Sequence, residues 1–219
     1  MALICLLRRM KKHGAGAVAR ERVPDEEIIS LQTTHRKVYT MKILIASDIH
    51  GSALYCERLL ERYRAEGADR MLLLGDILYH GPRNDLPEGY APKAVIAMLN
   101  PLKNELLCTR GNCDTEVDQM VLDFPILADY ALIQSGERTI FATHGHNFNT
   151  EKLPPLKKGD ILLHGHTHIP VCEVHEEFIY MNPGSVSIPK QNSPHSYMIM
   201  EDGKFLWKDL DGGIYDMFE

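Results

Sequence analysis

Five short segments of this chain carry Asp, Asn and His where an ion or a phosphate could be held. They are SDIHG (47–51), GDILYHG (75–81), GNCD (111–114), THGH (143–146) and GHTH (165–168). Each follows an apolar run of strand length. In sheets with parallel strands, ligands bind beyond the carboxyl ends of the strands, so the five segments can converge on one face. Five of the eleven histidines fall between positions 144 and 168. In GHTH, two imidazoles two residues apart project to the same side of an extended chain. Singly, a D-x-H after a strand is most often a cap, and G-D or G-N is an ordinary turn signal. Five such signals in one order, each ending a strand, rarely coincide. A donor set of Asp, Asn and His without thiolate suits Mn²⁺, Fe²⁺, Ni²⁺ or Zn²⁺. The candidate ligands are Asp48, His50, Asp76, Asn112, His144, His166 and His168. They exceed one tetrahedral site and fit two ions sharing a carboxylate, spaced about 3.5–4 Å apart to clamp an in-line displacement.

The elements that must position these residues begin at Met41. KILIAS (42–47) is a continuous apolar run, as expected for a strand buried on both faces. Ser52 can cap a helix over 53–66, with Cys56, Leu59, Leu60 and Tyr63 on one face and Gly67 at its end. RMLLLG (70–75) reads as a second strand, Lys93–Leu99 as a short helix and Leu106–Thr109 as a third strand. Between them, 77–91 is a loop whose length hints at function. After 129 the texture changes to short β-like runs at 130–134, 138–143, 160–164, 171–175, 178–181, 196–200 and 204–208. An order of βαβαβ followed by mostly β predicts an α/β chain with two sheets packed together.

Composition narrows the class. The chain has 219 residues, 44% hydrophobic and 25% charged, which suits one large domain or two small ones. The net charge of −6 argues against binding polymeric nucleic acid, and no run reaches the ~18 apolar residues of a membrane span. Five scattered cysteines without a CxxC pair, and no secretory signal, place the chain in a reducing cytoplasm. Residues 1–40 carry +4 against −10 for the remainder and lack periodicity. They are expected to be a flexible extension or a misassigned start before Met41, leaving 41–219 as a single domain.

The order D-x-H, G-D, G-N-x-[DE], H-G and G-H-x-H resembles the calcineurin-like metallophosphoesterases. GDILYHGPRNDLPEGYAP, RGNCD and NPGSVSIPK resemble more closely the YfcE branch of small phosphodiesterases, over roughly residues 41–205. The resemblance implies an α/β sandwich of two mixed β-sheets flanked by helices. It implies one ion on Asp48, His50 and His168, a second on Asn112, His144 and His166, and Asp76 bridging them. It also implies attack of a metal-bridging hydroxide on a small phosphodiester, with Mn²⁺ the expected metal. Two ions lower the pKa of water from about 15.7 towards about 7, which makes that nucleophile available at neutral pH.

Two departures from the family pattern matter. Many relatives read GNH[DE], whereas Cys113 stands here in GNCD; phosphoprotein phosphatases read GDxxDRG, whereas GDILYHG places His80 there. Cys113, His80 and His146 are therefore the candidates for contact with the reacting phosphate, with packing an equal reading for Cys113. Asp114 is expected to orient His144 or its loop. Arg83 and Asn84 are candidates for reading the second substituent of the diester, and 182–189 (NPGSVSIP) reads as a structural turn. The alternative to an enzyme is a non-catalytic scaffold of the retromer-small-subunit type, for which ligand loss would be the mark. Here every ligand position is filled. The sequence leaves homo-oligomerisation open.

Overall fold

Two mixed sheets lie face to face in the computed structural model, which describes residues 41–219. The expectations for residues 1–40 lie outside the described residues. The first sheet has the order β11-β10-β9-β1-β2-β3, formed by Ile214–Phe218, Lys204–Asp209, Ser196–Glu201, Ile43–Ala46, Arg70–Leu73 and Leu106–Cys108. Within it β1, β2 and β3 run parallel, while β9, β10 and β11 continue the sheet antiparallel. The second sheet has the order β4-β5-β6-β8-β7, formed by Tyr130–Ser135, Arg138–Thr143, Asp160–His164, Phe178–Pro183 and Pro170–Val174. Its inner strands β5, β6 and β8 are parallel.

Strand β1 shows why its sequence is apolar throughout. Leu44 and Ala46 face the helices, whereas Ile43 and Ile45 face the second sheet, and all four are buried. Alternate side chains of one strand therefore serve two cores. On the outer side of the first sheet lie helices α1 (Ala53–Glu66) and α2 (Pro92–Leu99). Helix α1 starts where Ser52 Oγ accepts from the Tyr55 N–H and stops where Gly67 takes φ 60°. Cys56, Leu59, Leu60 and Tyr63 form its buried face, as the spacing predicts.

Between the sheets, Leu72, Leu74, Ile140, Ala142, Ile161, Leu163, Met198 and Trp207 interdigitate. The Trp207 indole N–H donates to the Asn182 carbonyl at 2.7 Å, so the one tryptophan is buried without an orphaned donor. The far face of the second sheet carries no helix among the described residues. Phe141, Leu162, Phe178 and Tyr180 are covered there by Phe148 and Leu156 from the connection between β5 and β6. Three elements go beyond the sequence reading: a 3-10 turn at Asn100–Leu102, a short helix α3 (Glu116–Gln119) and the edge strand β11.

Candidate metal centre

The seven predicted ligands do converge, and they come from both sheets. Asp48 and His50 follow β1, Asp76 follows β2 and Asn112 follows β3. From the second sheet, His144 follows β5, while His166 and His168 follow β6. Asp48, His50, Asp76, His144 and His168 are almost wholly buried.

Three imidazoles are fixed by the same device. His50 Nδ1–H donates to the Tyr79 carbonyl (2.8 Å), His144 Nδ1–H to that of Leu74 (2.7 Å) and His168 Nδ1–H to that of Ile188 (2.7 Å). Each backbone acceptor sets the tautomer and leaves Nε2 pointing inward with a free lone pair, the arrangement that metal-binding histidines need. His50 Nε2 and His168 Nε2 then face each other at 3.3 Å. Two lone pairs at that distance repel unless a cation lies beside them. Asp48 Oδ1 sits 3.5 and 3.3 Å from those nitrogens and has no hydrogen-bond donor among the described residues. A buried carboxylate oxygen left this way is costly without a charge partner, so the donor set fits a divalent ion.

Asp76 lies between the two groups of histidines. Its Oδ2 is 3.7 Å from His50 Nε2 and 3.4 Å from His144 Nε2, while its Oδ1 accepts from the Cys113 N–H at 2.8 Å. Asn112 Oδ1 and His166 Nδ1 each lie 3.1 Å from His144 Nε2. Three overlapping groups of three side chains could each hold an ion: Asp48–His50–His168, Asp48–Asp76–His144 and His50–Asp76–Cys113.

The electrostatics of the protein alone follow from this crowding. Burial would raise the Asp48 pKa, but His168 and His50 beside it hold the carboxyl well below its usual range. His144 is buried, which opposes charge, yet Asp76 and Asp48 push its pKa up to about 9. His166 is brought down to about 4 by burial and by the neighbouring His144. The cluster thus holds carboxylate charge that only a proton or a cation can offset.

The backbone around these ligands is unusual. Asp48, His50, Asp76, His166 and His168 all have φ between 48° and 67°, the left-handed region that residues with a Cβ rarely adopt. The glycines beside them are there for space. A Cβ on Gly111 would come within 2.1 Å of Asp76 Oδ1, and one on Gly165 within 1.9 Å of Ser47 Oγ.

The residues that hold the ligand loops were only partly foreseen. Asp114 does not touch His144. Its carboxylate accepts from three backbone N–H groups, those of Asp76 (2.8 Å), Ile77 (2.9 Å) and Gly111 (2.7 Å), and so ties the second and third ligand loops together. Residues 182–189, expected to be a structural turn, run from the end of β8 onto the Asp48 and Gly165 loops. Ser185 and Ser187 hydroxyls donate to the Asp48 carbonyl at 3.0 Å each, and the Asn182 amide donates to the Gly165 carbonyl at 2.9 Å.

A cleft of about 450 Å³ opens over the cluster, lined by Asp76, Asn112, Cys113, His166 and His168 with Arg83, Asn84 and Lys190. Arg83 and Asn84, the candidates for reading the second substituent, line this cleft. Lys190 and Thr167 line the same cleft and were missed, although both sit within or beside the matching motifs. His146 lies near the cluster, its ring 5.5 Å from that of His144. His80 is not among the residues lining this cleft; its ring stands edge-on to Tyr79 and Tyr90.

Residues 41–203 match the calcineurin-like phosphoesterase superfamily domain. The chain belongs to that superfamily. It is 50% identical over 162 residues to phosphodiesterase YfcE of Escherichia coli K12, covering 74% of this chain and 88% of that one. The solved structure of the E. coli phosphoesterase Yfce superposes with a TM-score of 0.78 at 47% identity, over 81% of this chain and 98% of that one. Vacuolar protein sorting 29 from Cryptosporidium parvum shares the fold alone, with a TM-score of 0.53 at 17% identity over 82% and 98% of the two chains. As a member of the superfamily, the chain is a phosphoric ester hydrolase with a candidate metal site of Asp and His residues. Among the described residues no helix is long and apolar enough to cross a membrane.

Proposed function

We propose that this phosphoesterase hydrolyses small phosphodiesters at a dinuclear centre. Asp48, His50 and His168 would hold one ion, Asn112, His144 and His166 the other, with Asp76 between them. The observation that carries this reading is the buried set of inward-facing Nε2 atoms with the unpartnered Asp48 oxygen, beside a cleft that Asp76, Asn112, His166 and His168 line. Two divalent ions there, Mn²⁺ first among them, would supply a hydroxide nucleophile near neutral pH and offset charge on the phosphoryl oxygens.

The chain's own residues do the positioning. Carbonyls of Leu74, Tyr79 and Ile188 keep three imidazoles in the ligating tautomer. The Cys113 N–H holds Asp76 Oδ1, leaving Oδ2 turned to the histidines. Arg83 and Asn84, which line the cleft, would hold the substituent that stays on phosphorus. His146, near the cluster, remains a candidate to hand a proton to the leaving oxygen. The filled ligand set supports the enzyme over a scaffold that kept only the fold. The likeness to an E. coli phosphodiesterase supports a diester substrate. Among the described residues the cysteines are free, which supports a reducing compartment such as the cytoplasm.

Chelator-stripped protein should be inactive on aryl phosphodiesters and regain activity with Mn²⁺. Asp76→Ala should lower kcat more than Asn112→Ala, because it removes a contact to both ions at once. Unchanged turnover in Asp76→Ala would overturn the dinuclear reading.

A further inference from the structure

Beside the metal cleft lies a second concavity of about 340 Å³, and Cys113 lines both. Its other walls are Leu78, Tyr79, Tyr90, Ile96, Val117 and Val121. The Tyr90 ring lies directly over Gly51, the residue after the ligand His50; a Cβ on Gly51 would come within 2.6 Å of that ring. His80 stands edge-on to Tyr79 and to Tyr90, with centroids 4.8 and 5.3 Å away, so it sets the two rings relative to each other.

At the rim of this groove Thr115 and Asp118 engage each other. Asp118 accepts from the Thr115 N–H and hydroxyl at 2.8 Å each, and Thr115 Oγ1 accepts from the Asp118 N–H. Apolar side chains stand open beside them: Val117 is 69% exposed and Val121 43% exposed, with Tyr79 also 43% exposed. An apolar hollow with two aromatic walls, adjoining a metal cluster, is the usual form of a subsite for one end of a ligand.

We propose that this groove receives a planar aromatic substituent of the phosphoester whose phosphorus lies at the metal cluster, with Cys113 at the boundary between the two. The inference rests on the phosphodiester reading and adds a substrate class to it: esters in which one alcohol is a flat, apolar ring. Such a ring would lie against the tyrosines and the two valines, and the Cys113 sulfur would meet its edge. His80 is then a positioning residue that props the aromatic walls.

The test uses the full-length, Mn²⁺-loaded protein and two phosphonates, methylphosphonate and 1-naphthylphosphonate, with Kd measured by calorimetry. Both carry the group that would sit at the metals, and only one carries a ring. The naphthyl compound should bind at least about tenfold more tightly, since covering even part of a ring removes that much apolar surface from water. Val117→Asn/Val121→Asn changes two exposed side chains, so the melting temperature should hold while the affinity ratio falls to near one. Equal affinities in the wild type, or a ratio that survives the double substitution, would overturn the groove assignment. Failure of both phosphonates to bind the wild type would overturn the phosphoester reading beneath it.

Discussion

Cys113 stands where many members of the wider family have a histidine, and it is 8% exposed at the junction of cleft and groove. Its Sγ accepts from the Asn112 amide at 3.2 Å. A thiol is a weak donor and cannot carry the positive charge of an imidazolium, so help to the leaving oxygen from this position is small. General acid help is typically worth about 10²–10⁴-fold and matters most for basic leaving groups. The rate should therefore depend steeply on leaving-group pKa across a series of aryl phosphodiesters. Cys113→His should flatten that slope, and Cys113→Ala should barely alter it. A flat wild-type slope would show that another group, His146 foremost, already supplies the proton. The identities of all seven ligand candidates were legible because their motifs end strands in a fixed order. Their backbone conformation was not. Asp and His give no sign in sequence that they will take positive φ, whereas a glycine would have signalled it.

At the scale of elements, the ligand loops are held by groups that donate and accept across strand ends. Asp114 is the clearest case, with three backbone N–H groups from two loops on one buried carboxylate. In Asp114→Asn an NH₂ group would face a backbone N–H, costing one bond outright and weakening the others. Loss of about 2–4 kcal/mol in urea unfolding is expected. Mn²⁺ affinity should fall by about 10–100-fold, as for other residues that support metal ligands. Equal stability of mutant and wild type would show that water replaces the carboxylate without cost. Helix α1 was readable to the residue because Ser52, an apolar stripe and Gly67 all agree. Helix α3 was not, since four residues give no periodicity; its signal is the Thr115–Asp118 capping box alone. Strand β11 was hidden because its residues are mostly exposed and Asp216 interrupts them. It is held by pairing with β10, across a register shift between Trp207 and Lys208.

For the whole molecule, the two-sheet architecture could be read from the switch in texture after residue 129, but the strand order could not, since register depends on long-range pairing. Strand β9 closes the first sheet against β1 from far along the chain. Glu66, at the end of α1, fastens that seam by accepting from the Tyr197 hydroxyl at 2.8 Å and pairing with Lys208 and Lys42. Burial would raise its pKa, but Lys208 and Tyr197 outweigh that and hold it below the ordinary 4.5. A depressed folded-state pKa gives stability that is present above about 4.5 and lost as pH falls through the lower value. Glu66→Gln should therefore melt lower than wild type near neutrality, with the gap closing in acid; a gap independent of pH would refute the linkage. A chain beginning at Met41 should keep the activity and melting temperature of the full chain, because the family match begins there. A drop of several degrees would assign residues 1–40 a place on the domain. Of the seven candidate ligands, four follow strands of the first sheet and three follow strands of the second. An ion held by Asp48, His50 and His168 would join a loop of the first sheet to a loop of the second. It would act as a removable rivet between the layers, tightening the fold by about 2.7 kcal/mol when free metal stands a hundredfold above its Kd. Resistance to heat and proteases would then follow metal supply, and starvation for the metal would threaten the protein's lifetime as well as its turnover.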